Sequence, residues 1–377
     1  MVVFADLERR ASEARRAGDL DEALRCYLDL LETNPESAAA HYNAANIFRL
    51  LGQTEKALSF YDAALERTPT WPVVRFNRAV SLLQAGQWIE GFKEYEWRKA
   101  CPGFDDPRYH LARQWRGEEV NGKTVFVYPE FYQGDLIQFC RYALLLERCG
   151  ATVILAAPVA MHAMLSSMSS TLILIPDDAA PPAYDYACAL MSLPVAFGTT
   201  PDTAPSGRYL HPDTPLIAKW RDRIGENGLK IGVVWQGSVR MPDRFFPLRE
   251  LVAQLGKVPG ARLISLQKGD GLDQLEGLPE VETLGNDFDT GPDLFLDTAA
   301  AMACCDLIIT ADTSTAHLAG AIGLKTWIAL HQPADWRWLE ERTDTPWYPT
   351  ARLFRQKRRG DWASLFGEMA QAIGFAC

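Results

Sequence analysis

The stretch "CDLIITADTSTAHLAGAIGLKTWIAL", Cys305 to Leu330, reads as a buried strand, a turn of hydroxyl side chains, a short helix of small residues and another strand. A strand ending at Thr310 and a helix starting near Ser314 leave unpaired N–H groups and the positive end of a helix dipole at residues 313–315, which is an anion cradle. The hydroxyls of Thr313, Ser314 and Thr315 either cap that helix or bond phosphate oxygens, and residue type alone leaves both open. Ala316, Ala319, Gly320 and Ala321 keep the helix thin enough to lie tight on a sheet.

Outward from this stretch, short β-rich runs alternate with helical segments, which is the texture of a parallel α/β fold. One set is "TVFVYP" (124–129), "TVILAAP" (152–158) and "TLILIP" (171–176), with the helix "DLIQFCRYALLLERCG" between the first two. A second set is "KIGVVWQGS" (230–238), "ARLISLQKG" (261–269), "DLIIT" (306–310) and "KTWIAL" (325–330), after a looser segment 177–228 that reads as a hinge. Two such sheets in tandem offer a cleft at the carboxyl ends of their strands, where open α/β sheets bind ligands.

The front of the chain has a different order. Gly18, Gly52 and Gly86 stand 34 residues apart, as do Ala23, Ala57 and Gly91, and Tyr27, Tyr61 and Tyr95. In each unit the small residue and the tyrosine four later share one helix face, and the glycine sits at the preceding turn. Pro35 and Pro69 close the first two units.

The 377 residues, 48% hydrophobic, predict two or three folded domains. A net charge of -10 disfavours nucleic acid as a partner. The eight cysteines show no CxxC pair, which argues against zinc and disulfides; no metal site is expected. The sequence has no long uncharged apolar run and no signal-peptide order at its start, so a cytoplasmic protein without a membrane span is expected.

The 34-residue pattern resembles the tetratricopeptide repeat, a stacking helical solenoid that presents a concave face to protein partners. The turn "DTSTAHLAGAIG" resembles the donor-binding segment of bacterial heptosyltransferases, and "GDLIQFCRYA", "MSLPVAFGTT", "VVWQGS", "SLQKG" and "TPWYPTARLFRQ" recur in the order found in bacterial tetratricopeptide-repeat glycosyltransferases. Protein O-GlcNAc transferases are a more distant resemblance. The resemblance implies a helical solenoid followed by a GT-B pair of Rossmann-like domains: repeats over 1–100, a connector over 101–122, an acceptor-side domain over 123–227 and a nucleotide-sugar domain over 228–377, whose last helix can cross back to brace the first.

The function implied is metal-independent transfer of a sugar from a nucleotide-sugar, used as substrate and with no cofactor, to an acceptor. That acceptor is expected to be a protein, such as a surface or flagellar subunit, recruited by the repeats. The resemblance places Thr313, Ser314 and Thr315 at the donor diphosphate, with Asp312 beside them, His317 one helical turn in, and Gln236 on the donor side. Asp312, ionised, suits a donor hydroxyl or a loop N–H, and His317 either touches substrate or is packed in the core. Transfer needs a base for the acceptor hydroxyl and positive charge for the departing diphosphate. The base candidate is Asp135, which is also placed as an ordinary helix cap. The cation candidates are Arg240, Arg244 and Lys268, because the lysine common in the family after the first strand of its second domain is missing.

Tyr132 stands where the family has a glycine, which implies an altered acceptor pocket or a site that no longer turns over. A non-catalytic scaffold that keeps the nucleotide-sugar fold is therefore the competing reading. The aromatic run Trp336, Trp338, Trp347 and Tyr348, with Arg337 and Arg352, follows the last expected strand and reads as the core of a hinge or lid.

Overall fold

The computed structural model describes residues 2–104, 106–111, 113–238 and 244–374. It divides into two compact units, one of Met1–Pro107, Gly198–Pro201 and Gln332–Glu341, the other of Arg108–Phe197, Asp202–His331 and Arg342–Cys377.

The first unit carries helices α1 (Val2–Ala17), α2 (Leu20–Thr33), α3 (Ala38–Leu50), α4 (Thr54–Arg67), α5 (Pro72–Gln84) and α6 (Trp88–Tyr95), packed as three antiparallel pairs. The turns inside the pairs are left-handed, with φ of +80° at Gly18, +72° at Gly52 and +80° at Gly86, a conformation that a Cβ penalises. Ala23, Ala57, Tyr27, Tyr61 and Tyr95 are buried, and so is the small residue of the third pair, Gly91. There a Cβ would come within 2.8 Å of Leu83 Cδ2 and 3.0 Å of the Leu83 backbone nitrogen, so α5 and α6 approach too closely for alanine.

Segment Gln332–Glu341 belongs to this unit. Trp336 meets Phe92 edge-on at 5.8 Å and lies 6.0 Å from Tyr95; Gln84 Nε2 donates to the Ala334 carbonyl at 3.4 Å, and the Thr54 hydroxyl donates to the Glu340 carboxylate. The aromatic run therefore serves two places: Trp336 and Trp338 are core of the repeat unit, whereas Trp347 and Tyr348 belong to the other.

The second unit is built on two parallel sheets. The first contains β1 (Thr124–Tyr128), α7 (Gln133–Phe139), α8 (Arg141–Arg148), β2 (Thr152–Ala157), α9 (His162–Leu165), β3 (Ile173–Pro176), β4 (Tyr186–Ala189) and α10 (Leu193–Ala196), with strand order β3-β2-β1-β4. The helix read as continuous after β1 breaks at Cys140, where α7 ends and α8 begins. Strand β4 lies inside the segment read as a hinge; its four residues, Tyr-Ala-Cys-Ala, carry no β-branched side chain and so give little strand signal.

The second sheet follows α11 (Thr214–Ile224). Its elements are β5 (Leu229–Val234), α12 (Leu248–Leu255), β6 (Ala261–Ser265), β7 (Val281–Thr283), α13 (Leu296–Met302), β8 (Leu307–Ala311), α14 (Ser314–Ala321), β9 (Thr326–Leu330), β10 (Ala351–Arg355) and α15 (Trp362–Gly374). Strand order is β10-β9-β8-β5-β6-β7, the doubly wound order in which connections run outward in both directions from β5 and β8. The final helix packs on the second sheet. Trp362, Leu365, Phe366, Met369 and Ile373 bury its apolar face in the second sheet's own core, beside Leu251 and Leu255 of α12. No helix of the described residues is long and apolar enough to cross a membrane.

Candidate functional site

Strand order in the second sheet reverses between β5 and β8, so the chain leaving each strand's carboxyl end opens a crevice there. Gln236 and Gly237 follow β5, and Asp312 to Thr315 follow β8. Thr313 is the N-cap of α14, in extended backbone (φ −137°, ψ 176°), yet among the described residues no side chain caps the helix. Its hydroxyl instead shares a hydrogen bond with Thr315 Oγ1 at 2.6 Å, and Thr315 shares another with Thr310 Oγ1 at 3.0 Å. Of the first-turn N–H groups of α14, that of Ala316 donates to the Thr313 carbonyl at 3.0 Å, and those of Ser314 and Thr315 meet no capping side chain among the described residues, which leaves these two open to an anion. A Cβ on Gly237 would lie 2.9 Å from Thr313 Cγ2, so only glycine lets the β5 loop come this close to the turn.

Asp312 is 2% exposed, and neither carboxylate oxygen meets a hydrogen-bond donor among the described residues. Arg244 Nη1 lies 3.3 Å from Oδ2. Withdrawing a carboxylate from water costs several kcal/mol, so this pairing with a cation is what makes the burial tolerable.

The first sheet has its own reversal, between β1 and β4. Glu130, just after β1, accepts hydrogen bonds from the Tyr109 hydroxyl at 2.6 Å and from the Met191 N–H at 2.9 Å, tying the two strand ends together. Asp135, in the first turn of α7, accepts the Tyr132 N–H at 3.1 Å. Tyr132 has φ −109° and ψ 168°, extended backbone that any residue adopts, and its side chain is 54% exposed. The tyrosine in place of glycine therefore neither strains the turn nor fills an interior.

The two crevices meet at Gly134. A Cβ there would lie 3.3 Å from His317 Cδ2 and 3.5 Å from Ser314 Cα, so α7 and α14 bring their N-terminal turns together and Asp135 sits one residue from the contact. His317 is buried, with Nδ1 hydrogen-bonded to the Tyr348 hydroxyl at 2.9 Å. Behind it lies Arg141, which donates to the carbonyls of Gln138, Pro205 and Trp347 and to the Tyr209 hydroxyl, and stacks over Tyr209 and Tyr348. Burial pushes the Tyr209 hydroxyl well above the ordinary tyrosine range, so it stays protonated beside this cation.

The structure thus brings together Asp135, Asp312, Thr313, Ser314, Thr315, His317 and Arg244. Two expected residues are engaged elsewhere. Lys268 Nζ donates to the carbonyls of Phe288 and Asp289, and the Gln236 side chain accepts from Gln274 Nε2 at 3.2 Å, leaving its loop to contribute through Gly237. Arg240 lies outside the described residues. Sequence reasoning missed Arg141, although it stands inside "GDLIQFCRYA"; only the ring of carbonyls explains its burial.

Comparison with known proteins fits this architecture. The Tetratricopeptide repeat family matches residues 9–72. A glycosyl transferase family 9 crystal structure from Veillonella parvula superposes with a TM-score of 0.52, covering 69% of this chain and 98% of that one at 12% identity. Protein FlbA of Caulobacter vibrioides is 26% identical over 397 residues, covering 94% of this chain and 64% of FlbA, so the chain spans less than two thirds of that relative. Tetratricopeptide helices followed by a parallel-sheet pair with the GT-B glycosyltransferase fold are what the chain is built from.

Proposed function

We propose that the protein transfers a sugar from a nucleotide-sugar to an acceptor, with the donor diphosphate on residues 313–315 and Asp135 as general base. The observation that carries this reading is the meeting of two strand-order reversals: the N-terminal turn of α14, with the Asp312–Arg244 pair at its root, packs against Gly134, the residue before Asp135. The uncapped turn suits the departing diphosphate, Arg244 supplies its counter-charge, and Asp135 takes the proton from the acceptor hydroxyl as the new glycosidic bond forms. The base and the cation come from this chain's side chains, and no metal is called on. The acceptor is a protein, held by the repeats, whose stacked helices offer the extended surface such recruitment needs.

The test is a thermal-shift screen of the intact chain with UDP, GDP, ADP and CDP, followed by hydrolysis assays with the matching nucleotide-sugars. One diphosphate should raise the melting temperature in a concentration-dependent way, and its nucleotide-sugar should be slowly hydrolysed. Binding without hydrolysis or transfer to any acceptor would favour the second reading, a nucleotide-sugar-binding scaffold. That reading draws on Asp135 already serving as a cap for the Tyr132 N–H.

A further inference from the structure

Asp312 is the most anomalous polar group in the candidate site. A carboxylate buried to 2% exposure normally collects N–H or O–H donors, yet both its oxygens lack one among the described residues. What it has is charge: Arg244 Nη1 at 3.3 Å, on a side chain that keeps 25% of its surface exposed while that of Asp312 keeps 1%. The pair is therefore asymmetric, with a buried anion at the root of the turn and a cation that keeps a quarter of its surface in solvent.

We infer that Asp312 is a positioning residue for Arg244 and does not itself hold the donor. This rests on the proposed diphosphate site. The backbone makes Asp312 the residue before Thr313, so the carboxylate is fixed by β8 and by the turn that bears the helix N-terminus. A free arginine has many rotamers, and fixing it beforehand removes an ordering cost from ligand binding. Asp312 is also an anion beside a site for anions. It aids binding only while the guanidinium neutralises it, and without Arg244 it repels the same phosphates.

That reversal gives the test. Affinities of the bare nucleoside diphosphate found in the screen are measured by calorimetry for the intact protein and for Asp312→Asn, Arg244→Ala and the double variant. Asp312→Asn alone should weaken the bare diphosphate about tenfold, and Arg244→Ala about tenfold to a hundredfold, the range for a charge-assisted hydrogen bond. In the Arg244→Ala background, Asp312→Asn should instead strengthen binding several-fold. If Asp312 contacted a donor sugar hydroxyl, Asp312→Asn would leave the bare diphosphate unaffected and weaken only the nucleotide-sugar. If it held the ribose, it would weaken binding equally in both backgrounds; either result overturns the inference while leaving the diphosphate site standing. Should Arg244→Ala fail to fold, inorganic pyrophosphate, which carries neither ribose nor sugar, is the probe for the near-isosteric Asp312→Asn: weaker binding than to the intact protein supports the positioning role, and unchanged binding overturns it. No binding of any diphosphate by the intact protein would overturn the functional reading, and this inference with it.

Discussion

The two strand-order reversals of the α/β unit share a topology and differ in how they treat their polar groups. At the β1–β4 reversal both carboxylates have hydrogen-bond donors within the fold: Glu130 accepts from the Tyr109 hydroxyl and the Met191 N–H, and Asp135 accepts the Tyr132 N–H. At the β5–β8 reversal, among the described residues, the helix has no side-chain cap, the threonine hydroxyls bond one another, and the Asp312 carboxylate has charge but no hydrogen-bond donor. Folding selects for satisfied groups, because each buried unsatisfied one costs about 1–3 kcal/mol. The unsatisfied groups of the second reversal are what the proposed diphosphate site draws on, and the neighbouring reversal shows that the same topology does not require them.

The most direct way to break this comparison is to satisfy the open turn artificially. Replacing Thr313 and Ser314 together with glutamate supplies caps and negative charge where the diphosphate is expected. The nucleotide-induced thermal shift should vanish while the ligand-free chain keeps a cooperative melting transition, because the about 0.3–1 kcal/mol from an acidic residue at a helix start offsets part of the crowding against Gly237 and Gly134. A preserved shift would place the donor elsewhere.

The closed reversal supplies the next test. Asp135→Asn keeps an oxygen that can accept the Tyr132 N–H but removes the basic charge. Turnover should fall by at least about a hundredfold with nucleotide affinity nearly unchanged. Unchanged turnover would make Asp135 a cap and nothing more, and would widen the contrast between the two reversals.

How much of this was legible from residues follows the same divide between local and distant causes. The repeat turns could be read because Gly18, Gly52 and Gly86 each answer a local backbone demand, a positive φ, that recurs at a fixed spacing. The turn at Asp312 to Thr315 could be read because strand, hydroxyls and small-residue helix are contiguous. Lys268, Arg141 and the segment Gln332–Glu341 could not, because their roles are set by partners far along the chain: the carbonyls of Phe288 and Asp289, those of Pro205 and Trp347, and the rings of Phe92 and Tyr95. Residue type said "cation" or "aromatic"; whether each lay against solvent, ligand or backbone depended on those distant partners.

The smallest expected effect comes from a polar group that the repeats satisfy entirely. Tyr61 is fully buried and donates its hydroxyl to Asn46 Oδ1 at 2.7 Å, an oxygen that also receives the Asn77 amide at 3.3 Å. Tyr61→Phe removes one hydrogen bond while the acceptor keeps another, so it should cost about 1 kcal/mol at neutral pH and leave nucleotide binding untouched. Burial pushes the Tyr61 hydroxyl up from 10 to about 12. The folded chain therefore keeps a proton that the unfolded chain releases above pH 10. Its contribution is whole below that value and is lost as pH rises towards 12, a change of roughly 2–3 kcal/mol. Phenylalanine has no proton to lose, so the stability curves of the two proteins, measured by urea unfolding, should converge and cross between about pH 10 and 12. The Cys140 and Cys305 thiols, which burial pushes up to about 12, steepen both curves alike and cancel in the difference. A gap that stays constant through this range would mean that the folded chain releases the Tyr61 proton as readily as the unfolded one, and the repeats would then hold a less closed polar core than the contrast with the Asp312 turn assumes.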